Sequence, residues 1–170
     1  QKNVASGSCS HVEGYMCEAT GSPSHAEGSE SSASAHASHA EGWSNASGEY
    51  SHSEGNQSRS MGQSSHAEGE YTTSHGDASH AEGLNTFASG YATHVFGKYN
   101  EDLNFGTEPS NLGAYVELVG NGSDGSPSNA RTLDWSGNEK LAGSITLGLG
   151  TANEVTLTAE NLIRLLALLT

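Results

Sequence analysis

Ser24-His25-Ala26-Glu27-Gly28 recurs letter for letter at residues 38–42, 65–69 and 79–83, and this recurrence decides how the chain folds. Variants stand at 10–14 (S-H-V-E-G), 51–55 (S-H-S-E-G) and 93–97 (T-H-V-F-G). From His11 through His25, His39, His52, His66 and His80 to His94 the steps are 14, 14, 13, 14, 14 and 14 residues. A period held that closely marks a stack of like coils. A second half-repeat lies six residues upstream of each histidine, as in Ala5-Ser6-Gly7, Ala19-Thr20-Gly21 and Ala88-Ser89-Gly90. Each coil therefore holds two short strands joined by turns rich in Gly, Ser and Asn. The single short step falls between Gly42 and Ala46, in a turn, where a deletion leaves strand register untouched.

Strand alternation assigns the faces. Side chains point to opposite sides with period two. In S-H-A-E-G the Ser, Ala and Gly share one face, and the His and Glu share the other. Only small side chains fit if two sheets approach closely, so the Ser-Ala-Gly face is the inside of a thin coil. His and Glu then point outward and recur roughly 4.8 Å apart as two ladders. The larger residues Trp43, Tyr50, Tyr71, Phe87 and Tyr91 lie in or beside turns.

Composition narrows the function classes. The 170 residues carry 20 acidic and 6 basic side chains, a net charge of −14, with 33% hydrophobic residues. Such a composition would suit disorder, but stacked coils satisfy their backbone through neighbours and need little large-side-chain core. The charge argues against nucleic acid and anionic lipid as partners, since both demand Lys/Arg patches. No apolar run is long enough to span a bilayer, so membrane insertion is not expected. With neither a leader nor an initiator Met, the chain reads as a fragment of something longer. Cys9 and Cys17, eight residues apart, suit neither a zinc pair nor a C-x-x-C motif and read as free thiols.

The ladder formed by His11, Glu13, His25, Glu27, His39, Glu41, His52, Glu54, His66, Glu68, His80, Glu82 and His94 admits three readings. It is a solvated polar face, a set of metal ligands, or a surface buried between chains. A closed zinc site wants three or four ligands, and nothing in the repeat breaks the ladder to make one. A solenoid with so small a core is a poor monomer, and oligomerisation is the usual remedy. We therefore expect no cofactor and no metal, and intersubunit use of the ladder.

The 14-residue period, two strands per coil and S-x-A-x-G core resemble the head repeats of trimeric autotransporter adhesins (YadA-like heads), which read S-V-A-I-G. The resemblance implies an all-β, left-handed parallel β-roll, or β-solenoid, assembled as a homotrimer. His and Glu here replace two aliphatics that face the trimer interior in that family. A polar interface of this kind requires each Glu to be paired. We expect intersubunit His–Glu contacts that raise the His pKa, adding stability below the unfolded value of ~6.5 and losing it as pH climbs.

At Lys98 the repeat stops. Residues 1–98 form the roll, and 99–114 a polar connector. Residues 115–157 are expected to form a β-hairpin-rich cap, and 158–170 a terminal helix. Strands are expected over 115–119, 131–135 and 140–147, with a loop over 120–128 and a turn at Ser136-Gly137-Asn138. Their Leu, Val, Ile and Trp would give this part a core of its own. Thr158 is the expected N-cap of the helix. Leu162, Ile163, Leu165, Leu166, Leu168 and Leu169 wrap almost all round it, so it must be buried on every side, as three copies about an axis would do. Residues 119–143 also resemble segments that follow S-H-A-E-G repeats in tail-fibre proteins of phages and prophages of Gram-positive bacteria.

An enzyme is not expected. A catalytic histidine needs a unique environment, and seven equivalent histidines have seven equivalent ones. His36 and His75 fall outside the ladder and read as surface residues. Asp102, Asp124 and Asp134 sit near turns, where Asp is common. Calcium-binding solenoids use nine-residue repeats with Asp, and only Asp77 lies in these repeats. The resemblance implies a structural or receptor-binding segment of a tail fibre, exposed on a virion tail, with a host glycan or protein as partner. A cell-surface adhesin head and a metal-binding repeat protein are the alternatives. Trp43, Tyr50, Tyr71 and Tyr91 are the candidate ligand contacts.

Overall fold

The computed structural model describes residues 2–105, 109–147 and 155–157. Over the repeats the chain is a β-solenoid of about seven coils. In each coil one strand begins at the ladder histidine, as in His25–Gly28, His66–Glu70 and His80–Leu84. In most coils a second, two-residue strand ends on the interior small residue, as in Glu18–Ala19, Ser32–Ala33 and Phe87–Ala88, whereas His39–Ala46 and His52–Ser60 each run through both halves as one strand. The expected A-S-G strand is thus shifted, for its serine already turns away. Coils pair in parallel with like on like: His25 faces His39, Ala26 faces Ala40, Glu27 faces Glu41 and Gly28 faces Gly42.

The interior matches the Ser and Ala of the small-residue face, whereas the glycine expected beside them is exposed, because the chain turns the corner of the coil there. Ala26, Ala40, Ala67 and Ala81 form one fully buried column, and Ser31, Ser44, Ser58, Thr72 and Thr86 another. The two sheets lie so close that hydroxyls bond across the coil: Ser53 to Ser58 at 3.1 Å, Ser60 to Ser51 at 3.1 Å and Ser74 to Ser79 at 2.6 Å. Serine in this column also donates to main-chain carbonyls, Ser31 to Glu27 at 2.8 Å. Buried hydroxyls that find partners cost little, which is why so polar a core is tolerable.

Glycine at the end of S-H-A-E-G is required by two constraints at once. Gly55 adopts a φ of 102°, and a Cβ there would overlap the Gly69 carbonyl oxygen of the next coil. Two further turn positions per coil are left-handed without glycine, for example Tyr50 and Tyr71 at φ 59° and 56°. Their N–H groups donate to the coil below, Tyr50 to His36 and Tyr71 to Asn56, both at 2.9 Å. Repetition of these bonds offsets a conformation that L residues otherwise avoid.

After Lys98 the first strand joins the solenoid. Strand Tyr115–Asn121 stacks in parallel on His94–Lys98, placing Leu118 on Val95 and Gly120 on Gly97. Leu118 is fully buried and shares one cluster with Ala81, Ala88 and Val95, with Tyr115 packed against it. The strand is an added layer of the solenoid, reached after 23 residues (94 to 117) instead of 14. Asn129–Asp134 and Glu139–Leu141 then continue the sheet antiparallel. The turn between them is held by Asp134, whose Oδ1 accepts from Ser136 and Asn138 N–H at 2.9 and 2.8 Å. Residues 140–147, expected as one strand, are divided by a bend at Ala142-Gly143, and Ile145–Leu147 pairs with Val155–Leu157 in a separate sheet. The expected helix with Leu162, Ile163, Leu165, Leu166 and Leu169 lies outside the described residues.

Two asparagines end the repeat. Asn100 continues the Ser/Thr column, and its side chain takes the place of a further strand. Its Oδ1 accepts from Phe87 N–H at 2.8 Å and its Nδ2 donates to Phe87 O at 3.1 Å. Asn104, 1% exposed, accepts from Ala114 and Tyr115 N–H and donates to Thr93 Oγ1 and Tyr115 O.

Candidate functional site

The ladder face is where the repeat concentrates chemistry. The imidazoles of His25, His39, His52, His66, His80 and His94 form an unbroken stack, with centroids 4.6–4.9 Å apart and planes within 6–17°. The flatness follows from the like-on-like register: identical rotamers on strands at the β spacing must stack. At the first coil the order lapses, His11 meeting His25 edge-on at 66°. Beside the imidazoles runs the carboxylate ladder Glu13, Glu27, Glu41, Glu54, Glu68 and Glu82. Phe96 follows in its place, and its ring lies 5.2 Å from that of His94.

His and Glu meet along the whole face without bonding. Nε2 of His25, His39, His52 and His66 stands 3.9–4.0 Å from the carboxylate two residues on. His80 and His94 instead reach Glu68 and Glu82 of the preceding coil at 3.9 and 3.8 Å. These distances exceed a hydrogen bond. The six Nε2 atoms are nonetheless shielded from solvent and have no partner, although about a third of each side chain is open from His25 to His80.

Within the single chain His39, His52 and His80 are held below the ordinary value of 6.5. Burial is the main cause, and the neighbouring imidazoles in the stack add to it. The adjacent carboxylates oppose this shift without cancelling it. The carboxylates divide among themselves. Glu41 and Glu68 are pushed up to about 7, first by sharing a proton with Glu54 and Glu82 respectively, then by burial. Glu27 is lowered first through Glu13 and Glu54 first through Glu41, each as the acceptor of a shared proton. From Glu27 to Glu68 the shifts alternate in direction from one coil to the next.

Three triplets could offer ligands to a cation: His11-Glu13-His25, His39-Glu41-His52 and His66-Glu68-His80, with donor atoms within 4.8 Å of one another. Tetrahedral zinc with bonds of about 2.1 Å wants donors roughly 3.4 Å apart, so the side chains as placed stand too wide to close on it.

One ladder member was not legible in the repeat. Glu117 takes the histidine's place in the added layer, paired with His94 across the strands. Arg131 Nη1 binds it at 2.7 Å and also contacts Glu139. The candidate aromatics do not form one patch. Trp43 lies within strand His39–Ala46, just past Gly42, and Tyr71 just past the His66 strand, whereas Tyr50 and Tyr91 lie in the turn before the His strand. All four are exposed. Tyr50 also packs edge-on against His36, centroids 5.3 Å apart. Cys9 and Cys17 are both free, one exposed and one buried.

No protein-family model, curated protein or solved structure matches the chain. Among the described residues no helix is long and apolar enough to cross a membrane.

Proposed function

We propose that this chain is a non-enzymatic shaft segment of a homotrimer, part of a phage or prophage tail fibre that projects or forms a contact with the host surface. The observation that carries the reading is the unbroken His–Glu face, about a third open from His25 to His80, on a solenoid whose buried core is almost all Ala, Ser and Thr. So small a core favours association, and a face of imidazoles beside carboxylates is self-complementary to a second and third copy.

In this reading the coils wind left-handedly and the His–Glu faces turn toward a common axis. The strands after Tyr115 cap the shaft, and the apolar segment 158–170 joins the three chains. Sedimentation equilibrium tests it: a species of three times 17.5 kDa supports the assembly, and a 17.5 kDa monomer sinks it. A cell-surface adhesin head would use the same face. The His–Glu–His triplets favour one different reading, a metal-binding repeat protein. Stoichiometric zinc or nickel in chelator-free protein would promote that reading, and clean absence would retire it.

A further inference from the structure

The 13-residue coil leaves a mark on the surface. In the coils on either side, the second residue after the glycine bulges outward in a left-handed conformation, Glu30 at φ 58° and Gln57 at φ 56°. The intervening coil runs Gly42-Trp43-Ser44-Asn45-Ala46 and has no residue to spare for that bulge. Pairing slips between Trp43 and Asn45 and resumes with Asn45 between Ser32 and Arg59. Ser44 is drawn inward, its Oγ donating to Ser53 O at 2.8 Å. A notch of about 230 Å³ opens between the two bulges, lined by Glu30, Ser32, Trp43, Asn45, Gln57 and Arg59.

Three singular features coincide there. The notch sits at the one break in the period. Trp43 is the only tryptophan, and Arg59 the only Lys or Arg, between residues 3 and 97, a stretch with eleven acidic residues. Nothing in solenoid packing calls for either. Trp43 is 47% exposed. Among the described residues, the side chains of Glu30, Trp43, Asn45, Gln57 and Arg59 make no hydrogen bond, and Arg59 has no ion-pair partner. An open aromatic face ringed by unengaged planar donors and acceptors is chemistry for a polyhydroxylated ring, not for an apolar ligand. The C–H face of a sugar covers the indole, while Arg59 and Asn45 donate to its oxygens and Glu30 and Gln57 accept from its hydroxyls. The volume is below the roughly 300–1,000 Å³ of drug-sized clefts, which suits one or two sugar rings. The chain's charge of −14 disfavours a polyanionic glycan.

We propose that this notch is a binding site for an uncharged saccharide, with Trp43 as its platform. The inference rests on the host-contact part of the function proposed above and is independent of the trimer.

The test uses the full chain carrying Trp135→Phe, so that indole emission reports Trp43 alone. It is screened on an array of neutral, N-acetylated, uronic-acid and sulfated oligosaccharides, and any hit is titrated by fluorescence. A neutral or N-acetylated oligosaccharide is expected to bind. Affinity, measured for every variant by isothermal titration calorimetry because Trp43→Ala leaves no indole, should fall by at least about tenfold for Trp43→Ala or Arg59→Ala, as expected of central contacts. One glycine inserted between Trp43 and Ser44 restores the 14-residue step without changing any lining side chain and should abolish binding. Tyr71→Ala, on the same edge but outside the notch, should bind as the parent does. No bound oligosaccharide, binding of charged glycans alone, or equal loss with Tyr71→Ala would each overturn the proposal. So would binding that survives the glycine insertion. If one variant fails to fold by circular dichroism, the others still decide. Sedimentation mass measured alongside separates the two claims: a glycan-binding monomer keeps the notch and sinks the trimer, and a trimer that binds none does the reverse.

Discussion

Replacing Glu41 and Glu68 together by Gln should remove a loss of stability that the parent suffers as pH rises from 5 to 8. Both carboxyls have a folded midpoint of about 7 against an ordinary value of 4.5, because each shares a proton with the next rung of the ladder. An acid with a raised folded pKa contributes stability that is whole below its unfolded pKa and is lost as pH climbs through its folded one. Fully shielded, each would lose about 3 kcal/mol on ionising. Glu41 and Glu68 keep 35% and 34% of their side-chain surface open to water, and screening reduces this to about 1 kcal/mol each. His39, His52 and His80 act in the opposite sense. Their folded pKa values are depressed, so they cost stability as pH falls below 6.5. Since these histidines titrate in both proteins, the quantity to follow is the difference between variant and parent. Urea midpoints by far-UV circular dichroism at fixed protein concentration measure it, the concentration held because association shifts apparent stability. The variant should gain about 2 kcal/mol on the parent between pH 5 and 8. A difference that stays level with pH, or one in which the variant loses ground to the parent as pH rises, would refute the shared-proton ladder.

Gly55→Ala should destabilise the solenoid by at least about 2 kcal/mol, since a φ of 102° and the Gly69 carbonyl both exclude a Cβ; an unchanged melting temperature would contradict the stacking. Asn104→Ala removes four hydrogen bonds from a residue that is 1% exposed and should cost about 2–4 kcal/mol. Hydrogen exchange at Ala114 and Tyr115 should report that loss first. Leu118→Ala should cost about 2–5 kcal/mol and release the strands after Tyr115 together with the last coil. If the chain instead loses 115–141 alone, with the coil at Val95 still protected from exchange, the continuous core is disproved.

The repeat carried most of the fold in plain view. Fourteen-residue phase and strand alternation are backbone constraints, so Ala26 inside and His25 outside followed from counting. What escaped reading depends on distances between coils. The direction of the His pKa required knowing how far His39, His52 and His80 are buried, because burial outweighs the carboxylates that stand 3.9–4.0 Å away. Glu117 and Leu118 escaped because a 23-residue excursion hides their place in the columns. The notch around Trp43 was half legible: the missing residue stood out, but that its neighbours Glu30 and Gln57 bulge outward is a matter of backbone conformation. Arg59 was the overlooked signal, a lone cation in an acidic repeat.

Stacked β coils are open polymers, for an end that accepts its own next coil would accept the same coil from a second molecule. Asn100 withdraws that invitation. Its amide occupies both hydrogen-bonding groups of Phe87, so one sheet terminates in a side chain that has no further edge to offer. The companion sheet is passed to Tyr115–Asn121 and then reversed in direction. A sequence that could in principle be read indefinitely thus carries its own stop signal, written in one amide and one reversed strand.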